Sequence, residues 1–405
     1  MIKKAFDYFL FSVLASGLGF LGVIYMTKTI TPEEFGVIGL FLAVLYVLPI
    51  MISFSSVGLV NINKVKLSEQ EFIFFSRSYF TFGMFIFLLI FISSMILGLF
   101  IEQYYLVFFL LPVLAFIMFI NNFHSAELIQ DGFSKRYGTY RLLLSLFSLL
   151  LTILFISVFE LTWDGRLLAL VLGEFLVLLV AYKLSFKTFT KFQFDFNRVA
   201  FKEYILFGLP LMIGLGGGWL LNQADRFIIL NFFTLKDVGI YTVAYSIGAI
   251  VNRVNQATTN ASIPVLYDHL EKKEGNKIVK KLNLYYSLTV MIISLIIGIG
   301  SYWYVPLLFG KEYLDSPPII LFIALAFAFN GIYRMTGGVI AFYKQNVLQM
   351  KLVYTSAAVN IALSILLIPV FGILSPAIAT MFAYMLLAYL SYIYGWRILK
   401  KEEQC

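Results

Sequence analysis

The feature that most restricts this chain is a succession of charge-free apolar runs, each about as long as a bilayer is thick. Seven occupy 9–27, 37–60, 78–101, 103–123, 142–159, 205–224 and 282–310, and roughly 20 residues suffice for a helix to cross hydrocarbon. The run 352–396 is also free of charge but too long for one crossing. Its middle reads PVFGILSP from Pro369, a helix breaker followed by turn residues, which predicts two helices. Three further spans carry one internal charge each: 167–182 with Glu174, 238–267 with Arg253 and 316–343 with Arg334. The expected fold is an all-α polytopic membrane protein of about 12 transmembrane helices. Barrel strands would be about 10 residues of alternating polarity, a pattern these unbroken runs lack.

Composition agrees: 61% of the residues are hydrophobic and 13% charged, against roughly 25% charged in soluble domains. The start MIKKAF resembles a signal peptide, but the apolar run continues to Tyr25, so it is expected to be an uncleaved first helix. Cys405 is the sole cysteine and His124 and His269 the two histidines, which argues against a thiolate cluster or a multi-histidine metal site. Net charge is +8. With the N-terminus inside and 12 crossings, all the basic residues except Lys28, Arg166, Arg226, Lys236 and Lys311 fall on the inner side, counting Arg253 and Arg334 there. This is the positive-inside pattern, with both termini cytoplasmic. The basic excess therefore reads as topology and attraction to membrane lipids, and no nucleic acid partner is expected.

The chain repeats its polar punctuation. TPEEFG from Thr31 returns as TLKDVG from Thr234 at an offset of 203, and Asn121 and Lys135 return as Asn330 and Lys344 at 209. In both turns a Thr and an acidic residue three positions later have capping-box spacing. Six spans separate the copies, an even number, so the halves share an orientation as in a parallel transporter repeat. The basic connection from Lys187 divides them. The expected organisation is an N-lobe, 1–186, a cytoplasmic linker, 187–203, and a C-lobe, 204–405, with a basic tail.

The stretches TPEEFGVIGLF and ADRFIILNFFTLKDVGIYTVAY resemble the polysaccharide (O-antigen or capsule, Wzx-type) flippases of the multidrug/oligosaccharidyl-lipid/polysaccharide (MOP) exporter superfamily. The resemblance implies two six-helix lobes around a central cavity, as in the MATE and MOP proteins. It further implies a bacterial cytoplasmic membrane carrier, not an enzyme, whose cargo is an undecaprenyl-diphosphate-linked oligosaccharide. A polysaccharide polymerase machinery would be its partner, and no cofactor is expected.

Ionisable groups inside spans are costly and count first as functional candidates. Arg253 lies about 21 Å along its helix from Gly239, beside a stripe of Asn252, Gln256 and Asn260. Asn330 and Arg334 share a face of the tenth span. Together they read as a cationic cavity for a diphosphate, whose oxygens match guanidinium forks; the competing reading is arginine snorkelling to head groups. Asn222, Asp225 and Arg226 form another stripe, with Arg226 a candidate anion contact and Asp225 a candidate ion-coupling carboxylate unless the two neutralise each other. Glu174, about 12 Å into its span from Arg166, is a second coupling candidate. His124 and Glu127 could relay protons. GLGGGW from Gly214 lacks the lysine and strand of a phosphate loop, and reads as close packing or a kink. Two alternatives stay open: a multidrug antiporter of the same superfamily, and a membrane polymerase or acyltransferase. The longest connections are cytoplasmic and no acyltransferase histidine constellation appears. With no Walker motif, an ion gradient is the expected drive.

Overall fold

The computed structural model describes residues 2–55, 57–184, 193–272 and 275–403. The helices in the first half are α1 (Ile2–Thr29), α2 (Pro32–Leu45), α3 (Leu48–Ile52), α4 (Val57–Lys66), α5 (Glu69–Gly98), α6 (Tyr105–Gln130), α7 (Ser134–Ser157) and α8 (Trp163–Leu184). The second half holds α9 (Arg198–Phe232), α10 (Leu235–Gly248), α11 (Ile250–Glu271), α12 (Gly275–Leu308), α13 (Pro317–Phe342), α14 (Asn346–Phe371) and α15 (Ser375–Glu403). The described residues contain no strand. Among the described residues, ten helical stretches are long and apolar enough to cross a membrane, the last of which, Asn346–Lys401, contains both α14 and α15. Gly372, at φ 53°, makes the turn between those two where PVFGILSP predicts it. The chain is an all-α, multi-pass membrane protein.

The eighth expected span, 238–267, is not one of the ten. It is divided at Ala249, which closes α10 and opens α11, with Asn252 N–H bonded to the Ala249 carbonyl at 3.0 Å. Polar residues spread through α11 lower its hydropathy. The second expected span, 37–60, is likewise divided into α2, α3 and α4, with Phe54 and Ser55 at positive φ between the last two. These breaks respect the repeat: α2 and α10 are both 14 residues long and both their ends differ by 203.

The chain forms two compact units, one of Met1–Ile30 and Leu40–Gly216, the other of Thr31–Gly39 and Gly217–Cys405. The division falls inside α9, within GLGGGW. Gly217 packs on Val353 and Tyr354, whereas Gly214 and Gly218 have nothing within 4 Å of a Cβ. Part of the expected 187–203 connection, 187–192, lies outside the described residues. The helix after it begins at Arg198, earlier than expected, because the Asn197 side chain accepts from the Val199 and Ala200 N–H groups at 3.0 and 3.2 Å.

In the first unit, aromatic rings fill the space between α5, α6 and the start of α9. Tyr79, fully buried, has the rings of Phe119, Phe123 and Tyr204 within 5.3–5.7 Å. In the second unit, α13 buries the small residues Ala324, Ala326 and Ala328, and α15 buries Ala379 and Ala383; small residues let membrane helices approach closely. Large apolar side chains lie outside instead, among them Ile296, Leu307, Leu366 and Val370, as a lipid-facing surface requires.

The repeated turns are capped and in contact. Thr31 N–H donates to the Glu34 carboxylate at 2.8 Å and Glu34 N–H returns to Thr31 Oγ1 at 3.3 Å. Thr234 and Asp237 repeat this at 3.0 and 3.4 Å. A Cβ on Gly36 would collide with the Leu235 carbonyl, and one on Gly239 with the Pro32 carbonyl. A Cβ on Gly39 would meet the side chain of Thr242. Gly36 and Gly39 thus oppose their own repeats, Gly239 and Thr242.

Candidate functional site

In the second unit, three to four residue spacing on α9 sets Asn222, Asp225 and Arg226 on one face, and that face is buried. Asp225 is fully buried and Arg226 nearly so. Asp225 Oδ2 accepts from Tyr241 Oη at 2.5 Å and Thr380 Oγ1 at 3.0 Å, while Oδ1 accepts no hydrogen bond. Thr380 also approaches Asn360 Oδ1, at 3.4 Å, and Asn360 Nδ2 donates to the Leu221 carbonyl at 3.3 Å. Asn222 Oδ1 receives the hydroxyls of Tyr245 and Tyr384 at 3.0 and 2.8 Å. The result is a polar core built from α9, α10, α14 and α15 inside an apolar bundle.

Asp225 and Arg226 do not form an ion pair within 4.0 Å. The guanidinium turns away, donating to the Asn222 carbonyl at 3.0 Å and lying 4.5 Å from the Tyr245 ring centroid. Mutual neutralisation of the two, the competing reading of the sequence, is therefore not by direct contact. A bare carboxylate out of water is expensive. With carboxylate, amide and hydroxyl oxygens converging, the site is chemically suited to a proton or a hard cation, which takes oxygen ligands.

The arginine site is also in this unit. Arg334 Nε donates to Asn330 Oδ1 at 3.0 Å, and its NH2 reaches Asn252 Oδ1 of α11 at 3.4 Å. Arg253 and Gln256 are exposed, so Arg253 stands on a different face of α11 from Asn252 and does not join this cluster. Asn260 is in α11, with its side chain outside the described part. Asn255, absent from the expected set, is buried and donates to the Phe327 carbonyl at 2.6 Å. Phe327 in turn packs edge-on against Tyr245 at 5.6 Å and against Tyr384 at 6.1 Å. Phe327 thus joins Asn255 of α11 through its carbonyl and the Asn222 tyrosines through its ring.

In the first unit, the structure joins two candidates that the sequence leaves separate. Asn121 Nδ2 donates to Glu174 Oε2 at 2.5 Å and to its carbonyl at 3.1 Å, and Tyr140 Oη donates to Asn121 Oδ1 at 2.6 Å. The His124 ring meets Tyr140 edge-on at 5.4 Å, and His124 Nδ1 is 3.8 Å from Glu127. Lys64 Nζ then lies 3.7 Å from Glu127 and 3.6 Å from Asp131. Asn121, His124 and Glu127 recur every three residues on α6, a spacing that makes this line legible in retrospect. Tyr140 and Lys64 carried no such signal. Among the described residues, no group of three His, Cys, Asp or Glu side chains is arranged to hold a metal ion.

A sequence profile described as "polysaccharide biosynthesis protein" matches residues 25–318, most of the chain. The chain belongs to this family. Among curated relatives, it is 28% identical over 216 residues to the capsular polysaccharide biosynthesis protein CapF of Staphylococcus aureus, covering 51% of this chain and 53% of that one. An uncharacterized membrane protein of Methanocaldococcus jannaschii is 28% identical over 225 residues, 51% of this chain and 42% of that protein. The matches thus span about half the length of these relatives. A solved inward-facing multidrug resistance MATE family transporter of the MOP superfamily superposes with TM-score 0.71 at 16% identity over 99% of each chain. A Vibrio cholerae MATE transporter gives TM-score 0.62 at 13% identity over 99% of this chain and 96% of that one. The family is thus one of polysaccharide biosynthesis, and the fold is like that of the solved MATE transporters.

Proposed function

We propose that the chain is a flippase that carries an undecaprenyl-diphosphate-linked oligosaccharide from the cytoplasmic to the outer leaflet of a bacterial cytoplasmic membrane. Transport would proceed by alternating access of lobes 1–186 and 204–405, with both termini cytoplasmic. The observation that carries this reading is the combination of a polysaccharide biosynthesis family with a MATE-like fold whose polar interior contains a half-buried arginine, Arg334, and a buried carboxylate, Asp225. Arg334, steadied by Asn330 and Asn252, is assigned to the diphosphate, for which a planar guanidinium provides paired donors. Arg253, exposed on α11, is a second cation for the same anionic cargo.

Asp225 is assigned to the coupling ion, a proton or Na⁺, with Glu174 its counterpart in the first unit. Binding neutralises a carboxylate that water does not reach, and release requires that water return. Tyr241 and Tyr245 tie that change to α10, and Phe327 and Asn255 tie it to α13 and α11. These are rigid elements that both sites can bias, as coupling requires.

The test is genetic and chemical. Cells lacking the protein should accumulate the lipid-linked oligosaccharide facing the cytoplasm and lose surface polysaccharide, and the wild-type gene should restore it. Arg334→Ala should not restore it and Arg334→Lys should do so only partly. Full restoration by both Arg253→Ala and Arg334→Ala, each expressed normally, would remove the arginines from the cargo site.

A further inference from the structure

We propose that the meeting point of the α12 start and the α15 end is a binding site for the headgroup of an anionic phospholipid. The site is separate from the Asp225 and Arg334 clusters, and the inference does not rest on the identity of the cargo.

The position fits a headgroup. The charge-free run of α12 begins directly after Lys281, so Lys280 and Lys281 lie within one turn of the point where the helix becomes apolar. The α15 helix arrives there with Trp396, Arg397, Lys400 and Lys401 in its final turns. Lys280 Nζ stands 4.0 Å from the centroid of the Trp396 ring, which fixes the two helix ends side by side. Two further cations lie over rings close by in sequence, Lys281 on Tyr285 at 5.8 Å and Arg397 on Tyr394 at 5.6 Å. Tryptophan and tyrosine with flanking basic residues mark the level of lipid head groups, and juxtamembrane Lys and Arg clusters attract anionic lipid.

The local chemistry fits an anion. Lys280, Lys281 and Arg397 are exposed, and none is within 4.0 Å of a described carboxylate. Beneath Lys280 a cleft is lined by Asn283, Thr336, Ser391, Gly395 and Trp396. The Asn283 amide oxygen is buried there without a hydrogen bond. Ser391, fully buried, shares a hydrogen bond of 3.1 Å with Thr336 Oγ1, which also lies 3.0 Å from the Ile332 carbonyl. Cations without a carboxylate partner at the mouth and an amide oxygen with unused accepting capacity below are what a phosphate diester with a hydroxylated headgroup engages. A zwitterionic choline headgroup would bring its own cation against Lys280 and offer no hydroxyl. The phospholipid is therefore assigned as anionic, of the phosphatidylglycerol type.

The experiment uses the full chain purified in neutral detergent. Lipid retention is measured by native mass spectrometry with phosphatidylglycerol or phosphatidylcholine of matched acyl chains, and thermal unfolding is followed with each lipid and with inorganic phosphate. The wild type should retain phosphatidylglycerol in preference to phosphatidylcholine. Lys280→Gln should weaken phosphatidylglycerol retention about fivefold, the effect of one basic residue near a charged surface, and Lys280→Gln with Lys281→Gln and Arg397→Gln should abolish the preference. Lys272→Gln, an exposed lysine paired with Asp268 on α11, should leave it unchanged. Equal retention of the two lipids by the wild type, or equal loss in Lys280→Gln and Lys272→Gln, would overturn the proposal. So would stabilisation by inorganic phosphate as strong as that by phosphatidylglycerol, which would mark a free-anion site. None of these results bears on the transport reading, because retention is read without flipping.

Discussion

Around Asp225 the hydrogen bonds do more than pack a helix: they decide how a carboxylate without water is held. Tyr241 and Thr380 both donate to Oδ2, and Oδ1 is left over. Tyr241→Phe should therefore lower stability by about 1–3 kcal/mol, the range for leaving a buried polar group unsatisfied, measured by thermal unfolding in detergent. Asp225→Asn should keep the fold but lose the response of flipping to an imposed H⁺ or Na⁺ gradient, by roughly 5- to 150-fold if the coupling energy is of the usual size. A mutant that still responds would move coupling to Glu174, testable with Glu174→Gln. The stripe of Asn222, Asp225 and Arg226 was readable from spacing on one helix. Its partners were not, because Thr380 and Asn360 lie 155 and about 140 residues away in sequence and periodicity says nothing about which helices meet. The same limit explains Arg253. Adjacent to Asn252 in sequence, it is turned about 100° around the helix, and only Asn252 reaches Arg334.

Single helices show how much punctuation reveals. Thr31 with Glu34 and Thr234 with Asp237 form the reciprocal caps that their spacing predicts. That the two turns would face each other through Gly36 and Gly239 was hidden, since a capping signal is local and a contact across 203 residues is not. Gly36→Ala and Gly239→Ala should each destabilise by about 1–3 kcal/mol, as overpacked sites do, because the added Cβ meets a backbone carbonyl that cannot turn aside. Gly214→Ala and Gly218→Ala, with open space around them, should instead stabilise by about 0.5–1 kcal/mol through helix propensity. Thermal unfolding of the four variants separates the cases, and equal shifts would show that the glycine contact is not tight. The break at Ala249 escaped the hydropathy reading because it contains no proline. Only the fall in apolar content through α11 marked that region as different.

For the whole chain, length and charge-free runs were enough to read an all-α membrane protein, and the charge asymmetry carries a topology that can be checked directly. In a Cys405→Ser background, single cysteines at Gln70 and Asn346 should be shielded from an impermeant thiol reagent in intact cells, and cysteines at Glu33 and Asp315 should react. All four positions are exposed on the protein, so shielding would report sidedness and not burial, and reaction at Gln70 would refute the 12-span arrangement. The cargo was less legible, because sugar recognition is spread over polar and aromatic side chains that no short motif gathers. The most direct test of the account is therefore flipping itself, with the purified chain reconstituted into vesicles containing an undecaprenyl-diphosphate-linked oligosaccharide and an imposed H⁺ or Na⁺ gradient. The account predicts that the oligosaccharide becomes accessible on the opposite leaflet faster with the gradient than without it, and that Arg334→Ala and Asp225→Asn each suppress this. It would be contradicted by vesicles in which the oligosaccharide stays where it was loaded while a cationic drug exchanges against the same gradient.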